Sequence, residues 1–298
     1  CMMQHLSQGV LNAWMTCPRQ FQHLYLDCLL LPANPHQQER MVWGSRFHWL
    51  MQQSIQNRGT DCKLTELGAE SAAKMSLVLQ AEGDAEAQAL HHAVDRTWDG
   101  LRQWWDQSGA SDWELDAEHR RTWVMGDRLL TVVYDLLATR PTEAQIFDWK
   151  THAQPLSRDR LQEDWQTRLY LFVLAETSHL PPDRLAMSYW FVRSPAASTA
   201  ANGPELACET FAYSADWHQS TQAQLLEMGQ AIDQAIAAYH GGQALPQLPA
   251  HSPACRSCSF ASRCGRSPSV AEPAVAALPW TLTEPLDRLW DAIEEIPI

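Results

Sequence analysis

The sequence predicts an α/β (α+β) fold, a central mixed sheet flanked by helices with a helical insertion ahead of it. Three observations carry that expectation. Strand-like runs cluster from Trp113 onward around a Gly126-Asp127 pair, and helix-like segments precede and interleave with them. In addition, 45% of the 298 residues are hydrophobic, enough to bury a sizeable core. No run approaches the ~20 apolar residues that a bilayer-spanning helix needs, and the first residues lack a basic stretch followed by an apolar one. The expectation is a soluble, cytoplasmic protein with no membrane association.

Residues 6–31 carry apolar positions at mixed helical spacings, with Pro18 interrupting just after Cys17, which predicts two short helices meeting near Cys17. Residues 37–56 predict a helix with Val42, Phe47, Leu50 and Met51 inward, and residues 64–107 continue as Ala- and Gln-rich helical sequence. Arg121–Val124 and Leu129–Leu137 flank Gly126-Asp127 as a hairpin, with a third strand at Ala144–Trp149. Residues 157–179 return to helical periodicity, capped by Ser157 and ended by Pro181-Pro182. Strands near 185–193 and 205–213 then precede a helix over 215–240 that stops at Gly241-Gly242. A Pro-punctuated loop, a cysteine segment and a Pro/Ala-rich stretch follow, and then an amphipathic end with Leu286, Leu289, Trp290 and Ile293 that is expected to dock onto the domain. The organisation expected is N-terminal helices over 1–57, the helical insertion over 58–112, the sheet core over 113–250, a cysteine loop over 251–270 and a tail over 271–298. There is no internal repeat and no Gly-x-x-x-x-Gly-Lys-Ser/Thr loop, so the sequence encodes no recognisable P-loop motor.

The net charge of −13 argues against a protein that coats phosphate backbones through a broad basic surface, so any nucleic-acid contact must be local. Of the 22 basic residues only Lys63, Lys74 and Lys150 are lysines. Asp135 lies within the apolar run Val132–Leu137, where an uncompensated carboxylate costs several kcal/mol. Asp148-Trp149-Lys150 ends the next strand, and alternation puts residues 148 and 150 on one face. Two carboxylates and an ammonium converging at strand ends would suit Mg²⁺ or Mn²⁺, with Lys150 orienting a water or stabilising developing charge. Taken alone, a D-x-K tripeptide is a weak signal and reads more readily as strand-end acids, Asp135 and Asp148, with Lys150 a solvated base.

Together these residues resemble the RecB-type branch of the PD-(D/E)xK nuclease superfamily, which includes AddB-like and CRISPR-adaptation exonucleases. Gly44-Ser45-Arg46-Phe47-His48 resembles that branch's Gly-x-x-x-His helix, and Gln166-Thr167-Arg168-Leu169-Tyr170 its Gln-x-x-x-Tyr helix. The resemblance covers most of the chain in matching order. It implies a restriction-endonuclease-like sheet, with His48, Asp135 and Asp148 as metal ligands and Asp135, Asp148 and Lys150 as catalytic residues. Gln166 and Tyr170, four apart on one helix face, would face the site or the DNA. The sequence departs from the pattern before Asp135, where Thr131–Tyr134 stand in place of a glycine-containing approach.

Eight cysteines without a secretion signal point to a metal site plus buried thiols. Cys255-x-x-Cys258-x-x-x-x-x-Cys264 supplies three thiolates, one short of a closed site. The same resemblance implies that Cys17, in a Cys-Pro-x-x-Phe context, is the fourth ligand of a [4Fe–4S] cluster joining the N- and C-terminal segments. Zinc held by the same cysteines, or with His251 in place of Cys17, is the open alternative. Cys28, Cys62 and Cys208 read as ordinary buried thiols.

The function expected is a Mg²⁺- or Mn²⁺-dependent deoxyribonuclease, an exonuclease acting on single-stranded DNA or DNA ends. A helicase or a CRISPR-adaptation or repair protein would be its partner. The alternative is an inactive nuclease-fold module that binds DNA or protein and is stapled by the cluster. Arg19, Arg158, Arg160, Arg168, Arg256, Arg263 and Arg266 offer a basic track, and Trp43, Trp49, Trp149 and Trp165 offer stacking surfaces, although most of the 14 tryptophans suit a core better.

Overall fold

The computed structural model describes residues 5–29, 35–56, 85–108, 113–151, 157–192 and 206–266. The sheet is built around the hairpin that Gly126-Asp127 encodes. Glu114–Met125 (β2) and Arg128–Arg140 (β3) pair antiparallel, with Met125 opposite Arg128 and only two residues between the strands. Gly126 takes φ +65°, the value a tight hairpin of this kind demands at its first central position. Glu143–Lys150 (β4) continues antiparallel to β3, Leu185–Val192 (β5) runs parallel to β4, and Leu206–Ala212 (β6) closes the edge antiparallel to β5. A two-residue strand, His5–Leu6 (β1), lies parallel to β3 at Leu129–Leu130, on the side opposite β2. The sheet is mixed, as expected, but β1 falls where helix alone was predicted. Two residues are too few to show any alternation.

Helices cover both faces. Gln8–Thr16 (α1) starts at Ser7, whose hydroxyl accepts from Val10 N–H at 3.4 Å. Pro18–Phe21 (α2) follows after Cys17, and residues Gln22–Leu26 make a π-turn. Pro35–Gln56 (α3) and Ala85–Ser108 (α4) lie on one face of the sheet, where Trp43, Phe47, Leu50, Met51 and Ile55 pack with Leu90, Val94 and Trp98. Val42 is a correction to the predicted inward stripe. It is 45% exposed, because Trp43 rather than Val42 begins the spacing that Phe47, Leu50 and Met51 continue.

On the opposite face the helix predicted over 157–179 is two. Arg158–Glu163 (α5) ends at Asp164, whose ψ of 140° breaks the helix and whose carboxylate accepts from Gln166 N–H at 2.7 Å to start Trp165–Glu176 (α6). Ser157 sits at the first cap but makes no side-chain bond there. All residues from Trp165 to Leu174 are buried, so α6 is a core helix between the sheet, α1 and Ala215–His240 (α7). A short helix, Pro253–Arg256 (α8), opens the cysteine segment. Most of the 58–112 insertion and the whole 271–298 tail, including its amphipathic end, lie outside the described residues. None of the described helices is long and apolar enough to cross a membrane.

Candidate active site

Asp135 sits where the sheet opens. The β3–β4 ladder runs from Arg140–Glu143 to Leu136–Phe147 and stops there. One step further, Trp149 N–H donates to Asp135 Oδ2 at 2.8 Å instead of to a β3 carbonyl. A carboxylate thus replaces a ladder bond, satisfying a backbone donor while holding the two strand ends apart. Asp148 and Lys150 lie on the far lip of this opening, on the last residues of β4.

Four elements converge on it. From α3, His48 places Nδ1 3.2 Å from Asp135 Oδ1 and Nε2 3.1 Å from the Trp149 carbonyl. A carbonyl only accepts, so Nε2 carries hydrogen, and Nδ1 is the ring nitrogen that faces the Asp135 carboxylate. Such a facing pair of donors suits a cation shared between them. Gly44 makes this approach possible: a Cβ there would meet Thr151 Oγ1 at 2.7 Å, so only glycine lets α3 settle against the end of β4 one turn before His48. From α6, Gln166 accepts from Lys150 Nζ at 2.7 Å and donates its amide to Asp148 Oδ2. Lys150 Nζ also lies 2.7 Å from Asp148 Oδ1 and 5.4 Å from the Tyr189 ring centre.

Burial dominates the electrostatics. It pushes the Asp148 carboxyl up to about 6, against the opposing pull of Lys150, with the Asp135 charge adding to the rise and His48 reducing it. Asp164, capping α6, is pushed up to about 7 by burial, while Gln166 N–H, Lys150 and Asn12 oppose the rise. A buried acidic site of this kind is charged at low cost only with a cation in it.

Among the described residues, His48, Glu118 and Asp135 form the one group of three metal-capable side chains whose ligand atoms all lie within 4.8 Å of one another. Two carboxylates and an imidazole fit Mg²⁺ or, better, Mn²⁺. Glu118 was not among the site residues expected from sequence. Its signal is the hairpin register: a two-residue turn at 126–127 leaves residue 118 opposite Asp135.

The candidate residues are not all alike in placement. His48, Asp135, Asp148, Lys150 and Gln166 come together, whereas Tyr170 is 4% exposed in the core, its ring edge-on to Tyr134 at 5.4 Å and its carbonyl accepting from the Tyr134 hydroxyl. Trp43, Trp149 and Trp165 are buried, and Trp49 is 49% exposed beside His48. Arg168 is buried over the Trp165 ring rather than on a basic track, while Arg19 and Arg266 bond the carbonyls of Leu245 and Leu248. Cys28 and Cys208 are exposed, a correction to their reading as buried thiols: Cys28 sits past the π-turn at φ 51° and Cys208 on edge strand β6. Cys62 lies outside the described residues.

Cys17, Cys255, Cys258 and Cys264 line one pocket with Gln20, Phe260 and Ala261. No three of their sulfurs fall within 4.8 Å of one another. A single tetrahedral zinc, with Zn–S about 2.3 Å, draws its sulfurs to roughly 3.8 Å apart. All four cysteines present thiols to one pocket, a donor set that both zinc and iron–sulfur clusters use. His251 is exposed in the preceding turn.

A family model described as the PD-(D/E)XK nuclease superfamily matches residues 5–265. The chain belongs to this superfamily. Its mixed sheet flanked by helices is consistent with the superfamily fold, membership implies a DNA substrate, and superfamily nucleases usually use divalent metals, for which the His48–Glu118–Asp135 group has the right chemistry. A crystal structure of a candidate exonuclease from Eubacterium rectale is similar over 99% of this chain and 94% of that one, with a TM-score of 0.50 and 11% identity, a likeness of fold. A second solved structure, SSO0001, overlaps 87% of this chain and 85% of its own at 10% identity and a TM-score of 0.30, too low to carry an argument. No curated protein matches.

Proposed function

We propose that this superfamily member is a RecB-type exonuclease that hydrolyses single-stranded DNA or DNA ends with Mg²⁺ or Mn²⁺, and that Cys17, Cys255, Cys258 and Cys264 hold a [4Fe–4S] cluster of structural role. The observation that carries the reading is the opening of β3 from β4 at Asp135, with His48 above it and Lys150 and Gln166 across from it. Asp135, Asp148 and His48 would hold the divalent ion, which would supply a water of lowered pKa and neutralise charge on the phosphodiester. Lys150 keeps a fixed positive charge beside that position, tied down by Gln166 and Asp148, and so needs no reorganisation as negative charge develops. Gln166 positions both partners, whereas Tyr170 supports β3 from behind through Tyr134. The cluster joins residue 17 to residues 255–264 and closes most of the chain into a loop, with soluble cytoplasmic life and a helicase, repair or CRISPR-adaptation partner as the setting.

The test is a time course with end-labelled single- and double-stranded DNA and Mn²⁺, on anaerobically purified protein beside Lys150→Ala. Wild type should shorten at least one substrate while the variant, with an unchanged circular dichroism spectrum, does not. Protein that carries its cluster yet cuts neither substrate would sink the enzyme reading and leave a DNA- or protein-binding module.

A further inference from the structure

Asp164 carries more than a helix cap requires. An asparagine or serine at that position would satisfy the Gln166 N–H as well as a carboxylate does, without a charge that burial penalises. The aspartate stands half-buried at the start of α6, where α1 presents Asn12 to it. Gln8, one turn before Asn12 on the same face of α1, is buried as well. Two buried amides on a helix that otherwise packs Val10, Leu11 and Ala13 into the core give the acid a polar neighbourhood where apolar side chains would have packed more cheaply.

Gln166 links this acid to Lys150. Its backbone N–H donates to Asp164 Oδ1 at 2.7 Å, its side-chain oxygen accepts from Lys150 Nζ at 2.7 Å, and its amide donates to Asp148. The charged and titratable groups that face Asp164 are Lys150 and Asp148 on β4 and Tyr189 on β5, and Lys150 is the positive one among them. Asp148 is the direct partner of that ammonium, 2.7 Å from Nζ, but it is also the acid that the nuclease reading gives to the divalent ion. Oxygens turned to an ion no longer neutralise Lys150. Glu118 cannot replace them, because β2 lies on the far side of β3 from β4. An ammonium beside a divalent ion is repelled unless a further carboxylate stands by, and Asp164 is placed to be that carboxylate.

We propose that Asp164 is a positioning residue that keeps Lys150 in place when Asp148 turns to the ion, acting by its charge and through Gln166. The inference rests on the nuclease reading above and adds to it a residue that touches neither ion nor substrate. Burial pushes the Asp164 carboxyl up to about 7, so near neutral pH it is only partly ionised. A cation entering the site favours the charged form and drives off the proton.

The experiment is calorimetric titration of Mn²⁺ into the full chain at neutral pH, in two buffers of unequal protonation enthalpy, paired with cleavage kinetics. Wild type should release protons as it binds Mn²⁺. Asp164→Asn, which still caps α6, should release fewer, bind Mn²⁺ roughly 10- to 100-fold more weakly and lose kcat by a similar factor with KM little changed. Asp164→Ser, a second uncharged cap, should repeat these results and so separates charge from shape. In a Lys150→Ala background Asp164→Asn should cost no further turnover, because the group it holds is gone; an equal loss there overturns action through Lys150. Unchanged Mn²⁺ affinity and proton release in both uncharged variants reduces Asp164 to a helix cap and leaves the nuclease reading standing. No Mn²⁺ bound by wild type overturns both.

Discussion

The two metal-capable centres of this molecule are built in opposite ways. At the sheet opening the protein supplies a counterpart for each acid: Trp149 N–H and His48 for Asp135, Lys150 and Gln166 for Asp148. In the cysteine pocket the thiols mainly face one another. Burial pushes the Cys258 and Cys264 thiols up, and each neighbouring cysteine adds to the rise, with Arg19 and Arg266 opposing it only at Cys264. On the proposed reading the first centre is organised by the fold before any ion arrives, whereas the second, joined to the rest of the fold through His23 at Cys264 Sγ and the Phe260 ring, would be completed by what it binds.

The largest expected effect breaks that contrast at its weaker side. Cys17→Ser should abolish visible absorbance and cooperative unfolding together, since binding energies at structural metal sites of small domains run to about 10 kcal/mol or more. EDTA, which strips the carboxylate site, should lower wild-type stability by no more than about 3 kcal/mol while stopping cleavage. Equal losses of stability in the two cases, read by thermal melts, would show that the centres are not different in kind. Next in size is Lys150→Ala, expected to cost about 10²–10³-fold in kcat, the range for removing one preorganised stabiliser of transition-state charge. Because Lys150 also pulls down the Asp148 carboxyl, the variant should bind Mn²⁺ more weakly, and a titration checks that independently of turnover.

A third prediction tests whether the carboxylate side stores a cost when it is free of metal. Asp164 is raised from 3.8 to about 7 by burial, with Lys150, Asn12 and Gln166 N–H opposing the rise and Asp148 adding to it. The folded chain then holds this proton more tightly than the unfolded chain. Its destabilising contribution is complete above about pH 7 and fades as pH falls toward 4. Metal-free protein should melt higher at pH 6 than at pH 8, by an amount on the order of a few kcal/mol at most. Asp164→Asn, which still caps α6, should flatten that dependence without erasing it, because Asp148 shifts in the same direction. A melt that falls on acidification would show that these acids are not buried at such cost.

The same physics explains what could be read in the sequence and what could not. The Gly126-Asp127 turn and the Gly241-Gly242 stop act locally, so the hairpin and α7 emerge where they were expected, although β2 starts at Glu114, well before the predicted Arg121–Val124 run. The break at Asp164 was hidden because a helix-capping aspartate inside a polar stretch looks the same as a solvated helical one until its ψ is known. Val42 and Trp43 are one residue apart, and only packing on α4 decides which points inward. The convergence of His48, Asp135, Asp148 and Lys150 was suggested by spacing and resemblance, not by local rules. Glu118 sits among His119, Arg120 and Arg121 with no pattern to mark it, and only counting residues back from the turn reveals what it faces.

The smallest predicted effect concerns which of the tryptophans touches substrate. Trp43, Trp149 and Trp165 are buried and serve the core, so the stacking role narrows to Trp49, half exposed and one residue beyond His48 on α3. Arg46, one helical turn earlier, is exposed on the same side and offers a phosphate contact. Stacking on an unpaired base is worth about 1–3 kcal/mol by alanine substitution, so Trp49→Ala should weaken single-stranded DNA binding by roughly 5- to 150-fold. Binding of a blunt duplex, whose bases are already stacked, should change little. Fluorescence anisotropy with both ligands in Ca²⁺ in place of Mn²⁺ separates the two, and an equal loss on both would assign Trp49 to the shape of α3 rather than to a strand held beside the sheet opening.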